Sequence, residues 1–98
     1  MNFEIAPKET EIQANWDSAV VYCFALNIDG KTGWRLPNRT ELLNIYKEEN
    51  DFDDVFYLSS TKNQTETDKV WVIGFASGVN GYASSVDAYR VRAVRDIE

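Results

Sequence analysis

The chain reads as an α+β domain, and three observations predict it. Two stretches in the first half carry apolar residues at helical spacing, and each follows an Asn placed to cap it. The second half is built of short stretches rich in β-branched and aromatic residues, separated by turn residues. A further alternating stretch, Phe3 and Ile5 between Asn2 and Glu4, places a strand at the N-terminus. Helices followed by an antiparallel sheet, with the first strand returning beside the last, is an α+β plan. Residues 1–98 form one domain of ordinary size.

Pro7 ends the first strand. The first helix is expected over 15–27, with Asn15 as its cap and Asp17 at the positive end of its dipole. Its inner face would carry Trp16, Ala19, Val20 and Cys23. Asp29-Gly30 turns the chain. Leu36 precedes Pro37 and is pushed to extended backbone. Asn38 then caps a second helix over 39–49, and Glu41, three residues on, completes a capping box. Leu42, Ile45 and Tyr46 share one face of that helix. An acidic connection follows over 50–54.

Residues 55–60 read as a strand, 62–69 as a polar loop, and 70–76 as a central strand. In the central strand Trp71, Ile73 and Phe75 fall on one face, and Val70, Val72 and Gly74 on the other. Apolar residues on both faces mean burial on both sides, with the two helices expected together over one of them. Residues 77–80 turn, 82–85 pair back, and 89–94 close the sheet with Val91 and Ala93 inward.

Composition narrows the function. The net charge of −6 disfavours binding to a phosphate backbone, so no direct nucleic-acid partner is expected. Arg90 and Arg92 would share one strand face, either exposed or paired with local carboxylates. One Cys and no His exclude an intrachain disulfide and a Cys/His zinc cluster. Cys23 reads as a small buried hydrophobe, since no neighbour would activate its thiol. Nothing approaches the run of about 20 apolar residues that spans a bilayer. Residues 1–8 do not form an export signal, so a cytoplasmic or virion location is expected.

Chemistry is also constrained. Glu48, Glu49, Asp51, Asp53 and Asp54 form the densest carboxylate cluster. An EF-hand loop counted from Asp51 would need Gly at the sixth position and Glu at the twelfth, where Phe56 and Lys62 stand. No metal or other cofactor is expected. Without His, a Ser-His or Cys-His nucleophile is excluded, and Glu41 is better used as a cap. The expectation is no enzyme.

The stretch Trp34-Arg35-Leu36-Pro37-Asn38-Arg39-Thr40-Glu41, the preceding helix with Trp16 and Cys23, and the runs Tyr57–Thr61, Val70–Gly78 and Tyr89–Arg95 occur in an order that resembles the Lcl C-terminal domain family of a collagen-like adhesin. More distantly the order resembles C-type-lectin-like domains and the formylglycine-generating enzyme. The resemblance covers roughly residues 15–95. It implies a C-type-lectin-like fold, with two helices packed on a small twisted antiparallel sheet and adjacent termini. It also implies a second Cys in the last strand, where this chain has Ala93. The calcium-binding tripeptides of lectins are missing, and so are the late thiols of the formylglycine-generating enzyme.

In C-type-lectin-like domains the loops between the middle and last strands form the ligand face. Carried over, that implies a non-enzymatic recognition module binding a protein or glycan through 62–69 and 79–89. The residues concerned are Asn63, Gln64, Glu66, Asn80, Tyr82, Ser84, Asp87 and Tyr89. Tyr, Ser and Asn suit such a role, since Tyr gives rigid contact area and Ser or Asn adaptable hydrogen bonds. A phage or prophage structural protein fits this reading. The rival is a small acidic intracellular inhibitor that offers 48–54, Asp96 and Glu98 to a basic, nucleic-acid-binding surface.

Overall fold

A computed structural model describes residues 2–97. The chain makes β1 (Phe3–Ile5), a 3-10 turn (Lys8–Thr10), β2 (Ile12–Ala14), α1 (Trp16–Ala25), β3 (Trp34–Arg35) and α2 (Arg39–Glu48). It continues with β4 (Phe56–Lys62), β5 (Lys69–Gly74), β6 (Asn80–Ser84), β7 (Tyr89–Val91) and β8 (Val94–Asp96). The α+β class follows from this order.

The single expected sheet is in fact two. One has the strand order β1-β8-β3, the other β2-β7-β4-β5-β6. The expected closing strand over 89–94 breaks at Arg92 and Ala93, so β7 belongs to the larger sheet and β8 to the smaller. Ala93 hands its carbonyl to the N–H of Ala6, and Arg92 turns inward. The chain ends meet as expected: Phe3 pairs with Asp96, and Ile97 N–H donates to the Asn2 carbonyl at 3.1 Å. The sheet is not wholly antiparallel, because β4 and β7 run parallel with Tyr57 opposite Arg90. β2 was not foreseen; it pairs with β7 through Ile12 and Val91.

Both helix starts form as read. The Asn15 side chain accepts from Ser18 N–H at 3.0 Å, and Asn38 accepts from Glu41 N–H at 2.8 Å. Glu41 Oε1 accepts in return from Asn38 N–H at 2.9 Å, which closes the capping box. The helices are shorter than expected, ending at Ala25 and Glu48, where Leu26 and Glu49 turn to extended backbone.

β5 carries the core on both faces. Val70 and Val72 pack with Leu58, Val91, Trp34, Leu36 and the α1 residues Ala19 and Cys23. Trp71 and Ile73 pack with Tyr57, Phe3, Val94 and the α2 residues Leu42 and Ile45. Successive strand residues point to opposite faces, so α1 and α2 cover opposite faces of the larger sheet. This corrects the expectation that both helices sit on one side. Ala93, where the family resemblance places a second Cys, lies in the same buried cluster as Cys23. Val20, expected on the inner face of α1, is 38% exposed.

Candidate functional site

The expected recognition residues separate by position along the larger sheet. The turn over 63–68 joins β4 to β5, and 85–88 leaves β6 at the same end. Ser85 N–H donates to the Asp68 carbonyl at 2.8 Å and ties the two together. β6 and β7 both run parallel to β4 but flank the β4–β5 hairpin on either side. Residues 85–88 therefore cross the sheet. They do so on the α1 side, where Ser85 lends its carbonyl to the Trp16 N–H at 3.1 Å. Asn80 lies at the far end of β6, and Tyr82 in its middle.

Several of these side chains are occupied in building the fold. Asn63 Oδ1 accepts from the N–H groups of Thr65 and Glu66, both at 2.9 Å, and shapes its own turn. Asn80 Nδ2 donates to the Gly78 carbonyl at 2.9 Å. Ser84 Oγ accepts from Val86 N–H. Tyr89 is half-buried, with its ring 6.4 Å edge-on from that of Phe56. Gln64, Glu66, Asp87 and Tyr82 are exposed, Tyr82 at 42%. Asn80 is exposed as well, so five of the eight residues present side chains to solvent.

Between Tyr89 and the β6 edge lies a groove of about 260 Å³ lined by Phe56, Val72, Val79, Gly81, Ala83 and Tyr89. Phe56 and Val79 are exposed apolar residues there. Gly81 forms an open part of it, since no atom lies within 4 Å of where its Cβ would stand.

The acidic residues of the rival reading are partly engaged in ion pairs. Asp51 pairs with Arg92 at 2.9 Å, and Asp53 with Arg90 at 2.6 Å and Lys8 at 2.8 Å. The Lys8 ammonium first, then Arg90, holds the Asp53 carboxyl below the usual range. Asp96 pairs with Arg35 at 2.6 Å, and its carboxyl is held low by that guanidinium. These three carboxylates are thus paired within the molecule yet stay exposed, and Glu48, Glu49 and Asp54 form no ion pair among the described residues; Glu98 lies outside the described residues. Arg90 and Arg92 do pair with carboxylates, as expected.

A feature the sequence reading missed is the outer face of α1, where Val21 and Phe24 are exposed, Phe24 at 84%. With Trp16, Trp34 and Leu36, Val20 and Phe24 line a groove of about 390 Å³. The signal was present: Trp16–Ala25 has apolar residues on every side, so packing one face leaves another bare.

The Lcl C-terminal domain profile matches residues 4–95. The chain belongs to the Lcl C-terminal domain family. The match takes in most of β1 and all of β2, so this Lcl C-terminal domain extends into the N-terminal strands that pair with β8 and β7. No curated protein sequence matches the chain. Among the described residues no helix is long and apolar enough to cross a membrane.

Proposed function

We propose that this Lcl C-terminal domain is a non-enzymatic recognition module. It holds a protein or glycan at the end of the larger sheet where 63–68 and 85–88 meet, and along β6. Family membership supports a binding, adhesin-like role. The observation that carries the site is the hydrogen bond from Ser85 to Asp68, which joins two loops distant in sequence into one exposed surface. Gln64, Glu66, Tyr82 and Asp87 present solvent-facing side chains there. The loop backbones are held by their own turn bonds, so little conformational entropy is lost on binding.

The test is a screen of the purified domain on a glycan array and against a displayed peptide library, repeated with Tyr82→Ala and Asp87→Ala. Every ligand found should bind less tightly to both variants at an unchanged thermal midpoint. Undiminished binding by both variants rejects this surface.

A further inference from the structure

We infer that β6 is a docking edge that takes an extended segment of a partner polypeptide as a sixth strand of the larger sheet. This rests on the recognition reading above and narrows its ligand to protein.

The argument starts from the hydrogen-bond phase of the β5–β6 ladder. In an antiparallel pair, residues that exchange both main-chain bonds alternate with residues that exchange none. Gly74 N–H donates to Val79 C=O at 2.7 Å, and Ser85 N–H to Asp68 C=O at 2.8 Å. In phase with these, the bonded pairs are Val72–Gly81 and Val70–Ala83. Asn80, Tyr82 and Ser84 therefore aim their N–H groups away from β5. Two of the residues expected to bind, Asn80 and Tyr82, offer both N–H and C=O to the open side; Ser84 C=O already accepts from Asp87 N–H at 3.2 Å.

Sheet edges are ordinarily blunted by shortness, charge, proline or a bulge. β6 has none of these. It is five residues long, against three, three and two for the edges β1, β2 and β3. Its sequence, Asn-Gly-Tyr-Ala-Ser, holds no charge and no proline, and its register with β5 is unbroken.

The surroundings specify the occupant. Beside this edge on the α1 face lies the groove of about 260 Å³ lined by Phe56, Val72, Val79 and Tyr89, which accepts an apolar side chain. On the opposite face Tyr82, the cross-strand neighbour of Trp71, offers its exposed ring to the alternate residue. At the Ser84 end stand Glu66, Asp68 and Asp87, exposed and without an ion pair among the described residues. The segment that fits is extended and alternating, with an apolar residue for the groove and a Lys or Arg beside Asp68 and Asp87. Main-chain bonds supply affinity and alternate side chains specificity, as in other strand additions. A sugar would have little use for a row of alternating main-chain donors and acceptors.

Short peptides selected from a displayed library against the whole domain provide the probe. Selected sequences should alternate apolar and polar residues and carry a basic residue near one end. In nitrogen-15 spectra they should shift the amides of Asn80, Tyr82 and Ser84. Methylating the peptide nitrogen that faces Tyr82 should weaken binding about tenfold or more. Tyr82→Pro should do the same: it removes an outward N–H and spares the β5 ladder. Gly81→Val should fill the groove and also weaken binding. The methylated peptide needs no variant protein, so the test survives a folding defect in Tyr82→Pro. Binding indifferent to both backbone changes yet lost on Asp87→Ala overturns strand addition and leaves the recognition surface standing. No selected peptide at all overturns strand addition. Glycan binding at the same residues has that outcome too. Ligands that shift neither end of β6 overturn both readings.

Discussion

Glu11 and Arg92, far apart in the chain, meet inside the molecule: Arg92 Nη1 lies 3.2 Å from Glu11 Oε2, with side chains 6% and 5% exposed. Arg92 also donates to the carbonyls of Ala6 and Asp51, and its guanidinium lies 4.4 Å over the Phe52 ring. Glu11 also accepts from Arg90 at 2.9 Å and from the Tyr57 hydroxyl at 2.8 Å. The pair thus joins the junction of β7 and β8, the N-terminal turn and the acidic connection. Arg92→Met leaves Glu11 held by Arg90 and Tyr57 but takes the guanidinium donors from the Ala6 and Asp51 carbonyls. Leaving such buried acceptors unpaired should cost about 1–3 kcal/mol in urea unfolding. Lys31→Ala, which breaks an exposed pair with Glu4 at 3.3 Å, should change stability by about 0.5 kcal/mol or less. Equal effects would show that the buried network does not organise the fold.

Acid should weaken the start of α2. The Arg35 guanidinium, bound to both Glu41 oxygens at 2.7 and 2.8 Å, holds the Glu41 carboxyl below its ordinary range, helped by the Asn38 N–H. A carboxyl depressed in the folded state stabilises fully above its unfolded value, about 4.3 for Glu, and loses that contribution as pH falls through the lower folded value. Unfolding free energy should therefore be level near neutral pH and fall below about pH 4.3. In Glu41→Gln that fall should be shallower, and stability at neutral pH lower. An acid limb identical to the parent's would remove Glu41 from the account. Asn38→Ala, which deletes the other half of the box, should cost about 1 kcal/mol.

Cys23 should be inert in the native domain. It is fully buried, and burial pushes its thiol up to about 12. Near neutral pH the thiol therefore stays protonated, and it is enclosed by the core. Iodoacetamide labelling should follow opening of the domain and accelerate sharply with denaturant. Labelling at the rate of a free thiol in the folded state would contradict the packing of α1 on the sheet.

What could be read from the sequence was local. The capping box needs only residues 38–41, and Asn15 only its own first turn, so both were legible. The two apolar faces of β5 correctly required cover on both sides, yet they do not say which helix supplies it. The break between β7 and β8 carries no Gly, Pro or Asn; it is made by Arg92 turning toward Glu11 and Asp51, contacts invisible in a local window. β2 escaped for a similar reason: Ile12 and Ala14 alone are too short a period, and their partner β7 is at the other end of the chain. Among the recognition residues, residue type singled out binding-prone side chains. It did not separate Asn63 and Asn80, whose side chains bond to nearby backbone, from Gln64, Tyr82 and Asp87, whose side chains make no such bond.

Two glycines only three positions apart should respond oppositely to substitution. Gly78 ends the turn after β5 with φ at +81°, a conformation that an L side chain adopts only at a cost. A Cβ there would also stand 2.9 Å from the Tyr46 hydroxyl and 3.0 Å from its ring carbons. Tyr46 packs edge-on against Phe75 at 5.4 Å, so it cannot withdraw freely. Strain and collision add, and Gly78→Ala should cost about 1–3 kcal/mol. Gly81 has neither constraint: its φ is not positive, and no atom lies within 4 Å of its Cβ position. Gly81→Ala lowers the entropy of the unfolded chain and should leave stability equal or about 0.4–1 kcal/mol higher. Thermal and urea unfolding of the two variants decide the matter. A destabilised Gly81→Ala would mean that the groove beside β6 is closed in solution, and the docking edge with it.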